Sequence, residues 1–414
     1  MQTLWNESRC SGLVPYVLKK TNYLRMKYNF DEIIDRRGTN CVKYDLCEHV
    51  FGTDDVMPMW VADMDFCTPD FIVEAIKLRC DHPVFGYTML PKALTEAFCQ
   101  WVEKRHAWTI APKWTDFVPG IVTGINLAIQ AYTNPGDHII VQPPVYPPFY
   151  NAPQLNGRHV IWNQLKEVNG RFEMDLDALE QQIDDRTTML ILSNPHNPGG
   201  RVWDRPTLER LASICYRKGV LVISDEIHAD MTFSAHRHTP FASVSEEAAL
   251  NSLVFMSSSK TFNIPGIIGS FAIASNPAIY RRFHNMLLQL DLHGNLFAYE
   301  AMQAAYERGD EWLRQMMSYV ETNARTVVTY LEKELPEIQA MMPESSFLIW
   351  LDFSHLKLTD HDLKKFLVEK AKIGLNEGIS FGPGGEGHQR MNIGAPRSMV
   401  LEALHRISYA VRHL

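Results

Sequence analysis

Short apolar runs alternating with amphipathic stretches between Val118 and Ser275 limit this chain's fold more than any other feature. Residues 138–142, 188–193, 220–224, 253–256 and 270–274 are nearly continuous in apolar character and too short for helices, so they read as buried strands. Residues 121–132 and 207–218 have helical periodicity and lie between them. Strands joined through helices build a mostly parallel sheet, because a parallel neighbour is reached only by a long crossover. Ligands of such sheets sit outside the carboxyl ends of the strands. The residues just after each apolar run are therefore the candidates for chemistry.

Lys260 follows one run through Ser257-Ser258-Ser259 and precedes the turn at Pro265-Gly266. A buried lysine loses proton affinity, and the free amine is what Schiff-base chemistry needs. Neighbouring hydroxyls suit a phosphate, so pyridoxal phosphate fits both features. Taken alone, a lysine in such a loop is more often simply exposed. Asp225 ends another run and could keep a pyridine nitrogen protonated, although turn and cap roles are common for Asp. Asp225-Glu226-Ile227-His228 lacks further ligands at metal spacing, so no metal is expected. Ser193-Asn194-Pro195-His196-Asn197-Pro198-Gly199-Gly200 demands a sharply turned backbone, on which Asn197 could face a ring hydroxyl or serve only the turn.

Pro119-Gly120-Ile121-Val122-Thr123-Gly124 opens a helix, and its N–H groups at Val122 and Thr123 make a phosphate seat. It is neither a Walker loop nor a dinucleotide fingerprint, and many helices open with glycine. Tyr146, inside Pro143-Pro144-Val145-Tyr146-Pro147-Pro148, could stack on a flat cofactor or be a surface tyrosine in a rigid turn. Arg390, near the glycine-rich run 382–387, could clamp a carboxylate, with Arg397 a second candidate and surface ion pairing the ordinary use of either.

A net charge of -8 leaves no basic footprint for nucleic acid. No apolar run is long enough to span a bilayer, and the first residues lack the pattern of a signal peptide. Seven scattered cysteines without a Cys-x-x-Cys pair argue against a disulfide framework or a zinc site and for a reducing cytoplasm. The C-terminal third changes character, with helical patterns over 296–335, 360–372 and 398–412 and strands at 347–351 and 391–393. Thr68-Pro69 is expected to cap a helix through 79. The expected organisation is an extension at 1–27, a small α+β domain built from 28–75 and 306–414, and a large α/β domain at 76–305.

Together, Gly120, Tyr146, Asn194 to Gly199, Asp225 to His228, Ser257 to Lys260 and Arg390 resemble the fold-type I, class I/II pyridoxal-phosphate aminotransferase superfamily. Trp60-Val61-Ala62-Asp63-Met64-Asp65-Phe66, Phe85-Gly86-Tyr87-Thr88, Ser259-Lys260-Thr261-Phe262-Asn263-Ile264-Pro265-Gly266 and Met391-Asn392-Ile393-Gly394-Ala395-Pro396-Arg397 are similar to its MalY/PatB group of cystathionine β-lyases. The resemblance runs from about Tyr28 onward. It implies that Lys260 carries the cofactor as a Schiff base and moves the Cα proton. It also implies that Asp225 pairs the ring nitrogen, Asn197 the ring hydroxyl, and Tyr146 the ring face. Val122, Thr123, Ser257 and Ser259 would hold the phosphate, with Tyr87 reaching across from the other subunit of a homodimer. Arg390 would take the substrate carboxylate, with Ala62, Asn197 and Tyr87 beside it.

Two positions depart from ordinary aminotransferases. His228 stands where a tyrosine is usual, also in the cofactor set, and Ile268 where an arginine is usual. The implied activity is carbon–sulfur β-lysis of cystathionine or related S-substituted cysteines, placed in amino-acid metabolism and methionine biosynthesis. Transamination is the nearest alternative, and a regulatory protein that retains the pocket is another.

Overall fold

The structure is a computed structural model that describes residues 28–414; the extension expected at 1–27 lies outside the described residues. Seven strands form the central sheet: β1 (Thr115–Val118), β2 (His138–Val141), β3 (His159–Trp162), β4 (Thr187–Ser193), β5 (Leu221–Asp225), β6 (Ser252–Met256) and β7 (Ser270–Ile273), in the order β1-β7-β6-β5-β4-β2-β3. The strands are parallel except β7, which runs antiparallel to both its neighbours. The reason lies in the connection. The chain after β6 makes one helical turn, Ser258–Thr261, and stays at the same end of the sheet until β7 begins. With no long crossover helix, β7 can only run back. That short path keeps Lys260 at the strand ends.

The β5 and β6 strands are buried along their whole length, which explains the apolar runs Leu221–Ile223 and Leu253–Met256 within them. The edge strand β3 gave no such signal, because it is short, only half-buried and flanked by Arg158 and Asn163. Gly124, in the helix Ile121–Tyr132, lets that helix lie close on the sheet. A Cβ there would come 2.5 Å from the Phe255 ring.

A second, antiparallel sheet joins Gln339–Met341, Leu348–Asp352, His388–Asn392 and Asn376–Glu377 in that order. The N-terminal segment reaches it through a parallel pairing of Met57–Pro58 with Ile373–Gly374. The helical patterns expected over 296–335 are two helices, Leu296–Arg308 and Asp310–Glu334, parted at Gly309, where a Cβ would collide with the Phe262 ring at 2.3 Å. Two local expectations are corrected. The helix expected over 360–372 loosens into a π turn at Leu367–Ala371. Finally, Thr68 does not cap the helix Asp70–Cys80. Pro69 is its N-cap, and the Thr68 hydroxyl donates to Asn263 O at 3.2 Å.

Candidate active site

The β4, β5 and β6 strands end side by side, with Ser193 opposite Asp225 and Asp225 opposite Phe255. Adjacent strands lie roughly 5 Å apart, so the loops after them meet. Ser257 caps the turn that carries Lys260, its hydroxyl accepting from Ser259 N at 3.1 Å. Ser257 Oγ also lies 2.7 Å from Gly269 O and 2.8 Å from Ser259 Oγ. Lys260 Nζ points inward and donates to Ala62 O at 2.5 Å. Burial lowers its pKa to about 8 against the partial support of Asp63 and Asp225, and the Arg390 charge adds to the lowering.

Asp225 is buried and accepts one side-chain hydrogen bond, from Ile227 N at 3.0 Å. Desolvation raises its pKa to about 7, the Ile227 bond working against the shift and the Glu226 charge adding to it. The Lys260 charge offsets part of the rise, but among the described residues no cation pairs directly with this carboxyl, and a protonated ring nitrogen is the kind of group it suits. His228 is buried too, its Nδ1 unpartnered and its pKa lowered by burial to about 3, so it is a neutral imidazole. His196 is likewise neutral, with Nε2 2.9 Å from Pro144 O.

Arg390 is 3% exposed, and its hydrogen-bond partners include no carboxylate. It donates to Asn197 Oδ1 at 3.0 Å, Trp60 O at 3.0 Å and Asn376 Oδ1 at 2.7 Å, leaving Nε unpartnered. Phe381 packs under the guanidinium, 4.9 Å from its centre. Desolvation lowers its pKa to about 10, which still leaves it charged at neutral pH. A buried cation without an anion is costly unless a ligand supplies one. Arg397 is used differently. It stacks on Tyr319 at 4.7 Å and donates to Asn323 Oδ1 at 3.1 Å.

Other expected residues fall around this group. Val122 and Thr123 sit in the first turn of their helix, entered through Gly120 at φ 93°, a left-handed conformation suited to glycine. Ile268 lies over that entrance, its Cγ2 3.2 Å from where a Gly120 Cβ would stand. Tyr146 is half-buried, and its charged form is disfavoured first by burial and then by Asp225. Tyr87 is not brought to the site of this chain: it is fully exposed on a stretch without regular structure. Open recesses elsewhere, such as one of about 470 Å³ between Arg105, Ser234 and Arg325, gather no comparable set of buried polar groups.

Sequence reasoning missed the buried polar groups that surround these residues. Glu226 accepts from Ser224 Oγ at 2.9 Å and Phe241 N at 2.8 Å, with His238 Nε2 at 2.7 Å. Asp230 accepts from Trp101 Nε1 at 3.0 Å and Thr261 Oγ1 at 3.1 Å, with His106 Nε2 at 3.0 Å. Asn263 and Asn392 staple the segment 60–66. Asp230 lay in plain view five residues after Asp225, but its partners come from distant elements.

The profile of the aminotransferase class I and II family matches residues 54–407. Cystathionine beta-lyase PatB of Bacillus subtilis is 43% identical over 385 residues, covering 92% of this chain and 100% of PatB. Protein MalY of Escherichia coli is 32% identical over 390 residues, covering 93% of this chain and 99% of MalY. The crystal structure of cystalysin from Treponema denticola, which contains a pyridoxal 5'-phosphate cofactor, superposes with a TM-score of 0.91 at 33% identity, over 94% of this chain and 100% of that one. The chain therefore belongs to the class I and II aminotransferase family, in the group that includes PatB and MalY.

Proposed function

We propose that the protein is a pyridoxal-phosphate-dependent carbon–sulfur β-lyase that cleaves cystathionine or related S-substituted cysteines to a thiol, pyruvate and ammonia. The observation that carries the reading is Lys260: an inward-turned amine, lowered to about 8, at a strand end near a buried carboxyl that no cation pairs directly. The donor set fits the cofactor. The Lys260 amine suits its aldehyde, Asp225 its ring nitrogen, Asn197 its ring hydroxyl and Tyr146 its ring face. Ser257, Ser259, Val122 and Thr123 suit its phosphate, and His228 lies alongside as a neutral group.

When bound, the cofactor supplies an electron-accepting ring that stabilises negative charge at the substrate Cα. The protein does the rest. Arg390 holds the substrate carboxylate, which provides the anion its buried charge lacks. That grip orients the Cα–H bond toward Lys260, whose amine takes the proton. The sulfur leaves from Cβ as a thiolate, a good leaving group because a thiol ionises near pH ~8.5. One water hydrolyses the remaining three-carbon fragment, which balances the products as one thiol, one pyruvate and one ammonium ion.

Tyr87 fits a role at the neighbouring subunit of a homodimer. Together with Val84, Phe85 and Met89, it forms an exposed apolar stretch that association would cover. The small domain is taken as 28–75 with 306–414, and the large one as 76–305; the pairing of Met57 with Ile373 supports joining the first two. Among the described residues no helix is long and apolar enough to cross a membrane. The scattered thiols support a cytoplasmic setting, and release of homocysteine would serve methionine synthesis. Lys260→Ala is expected to abolish the cofactor's bound absorbance and pyruvate release from cystathionine. Conversion of cystathionine that needs an added keto acid and releases neither thiol nor pyruvate would point to transamination and overturn the lyase reading.

A further inference from the structure

The stretch from Trp60 to Phe66 belongs to no strand or helix, yet it runs directly over the site. Side chains take up its carbonyls. Trp60 O accepts from Arg390 at 3.0 Å, and Ala62 O accepts from Lys260 at 2.5 Å. Val61 O and Asp63 O both accept from Asn392 Nδ2 at 2.6 Å. Met64 O and Phe66 O accept from Asn263 Nδ2 at 2.9 and 2.8 Å, while Met64 N donates to Asn263 Oδ1 at 2.9 Å.

Arg36 and Lys43 add longer bonds, to Met64 O at 3.3 Å and Asp63 O at 3.4 Å, and pair with the Asp63 and Asp65 side chains on this stretch. The closer donors fall into two classes once the proposed function is granted, and the inference rests on that reading. An amine bonded to the cofactor cannot also donate to Ala62 O, and a guanidinium that clamps a carboxylate has less to give Trp60 O. Asn263 and Asn392 have no such duty. Each is also tied to one of the residues that does. Asn263 sits three residues after Lys260, on a left-handed backbone (φ 55°) that asparagine tolerates. Asn392 ends the strand His388–Asn392, two residues after Arg390, and its Oδ1 accepts from Gly394 N at 2.8 Å.

We propose that Asn263 and Asn392 are positioning residues that keep the 60–66 strap, and with it Ala62, over the site when Lys260 and Arg390 release their hold on it. An amide is required at both places, because each side chain donates to two carbonyls and accepts from a backbone N–H. An aspartate keeps the acceptor and the size but loses both donations.

The test uses Asn263→Asp and Asn392→Asp, with Asn263→Gly as a variant that accepts the left-handed backbone should the aspartate hinder folding. Amide hydrogen exchange of residues 60–66 is read on the loaded enzyme, with the cofactor-free protein as its reference, and KM and kcat for an S-substituted cysteine on the loaded enzyme. Exchange in the strap is expected to quicken about tenfold, and KM to rise about tenfold with a smaller change in kcat, as fits the loss of one or two net hydrogen bonds. Unchanged exchange in the strap would overturn the inference. So would a lowered Tm with KM unaltered, which is what a purely structural staple would give. A wild-type protein without lyase activity would instead sink the proposed function, since the exchange measurement does not depend on it.

Discussion

Asp225 and Asp230 lie on one short segment, are 6% and 7% exposed, and meet opposite surroundings. Around Asp225 burial is opposed only by a single backbone donor and the Lys260 charge, and Glu226 stands next door, so burial wins and its pKa rises to about 7. Around Asp230, burial pushes upward too, but His106, Arg105 and Trp101 together outweigh it and hold the carboxyl below its ordinary value. Equal burial thus leaves one carboxylate poised for a missing cation and the other fully committed to structure. Burial alone does not mark a functional group; the marker is burial with too few partners.

The largest effect expected from this contrast is on activity. Asp225→Asn keeps the shape but cannot hold a negative charge beside the cofactor ring, and should lower kcat by about 10²–10³-fold. Asp230→Asn should leave most of the turnover of the folded enzyme in place. Equal losses in the two variants would break the distinction.

Stability should reverse the ranking. Asp230→Ala strands the Trp101 and Thr261 donors and should cost about 2–4 kcal/mol in urea unfolding. Asp225→Asn should raise the Tm of the cofactor-free protein at pH 8. The sign follows from linkage. The raised pKa of Asp225 gives a contribution complete below about pH 4 and lost as pH climbs through about 7. The lowered pKa of Asp230 gives one present above about pH 4 and lost as pH falls through its folded value. The gap between wild type and Asp225→Asn should therefore open from pH 5 to 8, and that for the Asp230 variants should close under acid. A flat Asp225 profile would mean that its carboxyl has an unseen partner.

The same contrast shows what the sequence made legible. The apolar runs revealed the mostly parallel sheet because burial on both faces writes itself into consecutive residues, whereas the class I/II aminotransferase fold was implied by the motifs that follow those runs. Lys260 and Asp225 stood out because each comes directly after such a run. The partners of Asp230 did not, since Trp101 and His106 look like ordinary members of an amphipathic helix until it packs against the sheet. The antiparallel turn-back of β7 was hidden for a similar reason: direction is set by how the connection folds. Arg390 was visible as an arginine near a glycine run, but its lack of a carboxylate partner emerges only in three dimensions.

The finest test separates Asp230 from the chemistry next to it. Thr261 follows Lys260 directly, and its hydroxyl donates to Asp230 Oδ2 at 3.1 Å. Thr261→Val keeps the branched shape and removes that donor. Asp230 retains Trp101 and His106 on its other oxygen, so the carboxylate stays paired and the loss should be about 1 kcal/mol of stability. If Asp230 is structural in the sense argued, the Lys260 turn is held by its Ser257 cap and by Ile264 N bonding to Ser259 O at 2.9 Å. In that case kcat and KM should change by no more than about twofold. A fall in kcat of tenfold or more, with the Tm nearly unchanged, would mean that Asp230 aims the lysine through Thr261. The two aspartates would then serve the same reaction from opposite sides.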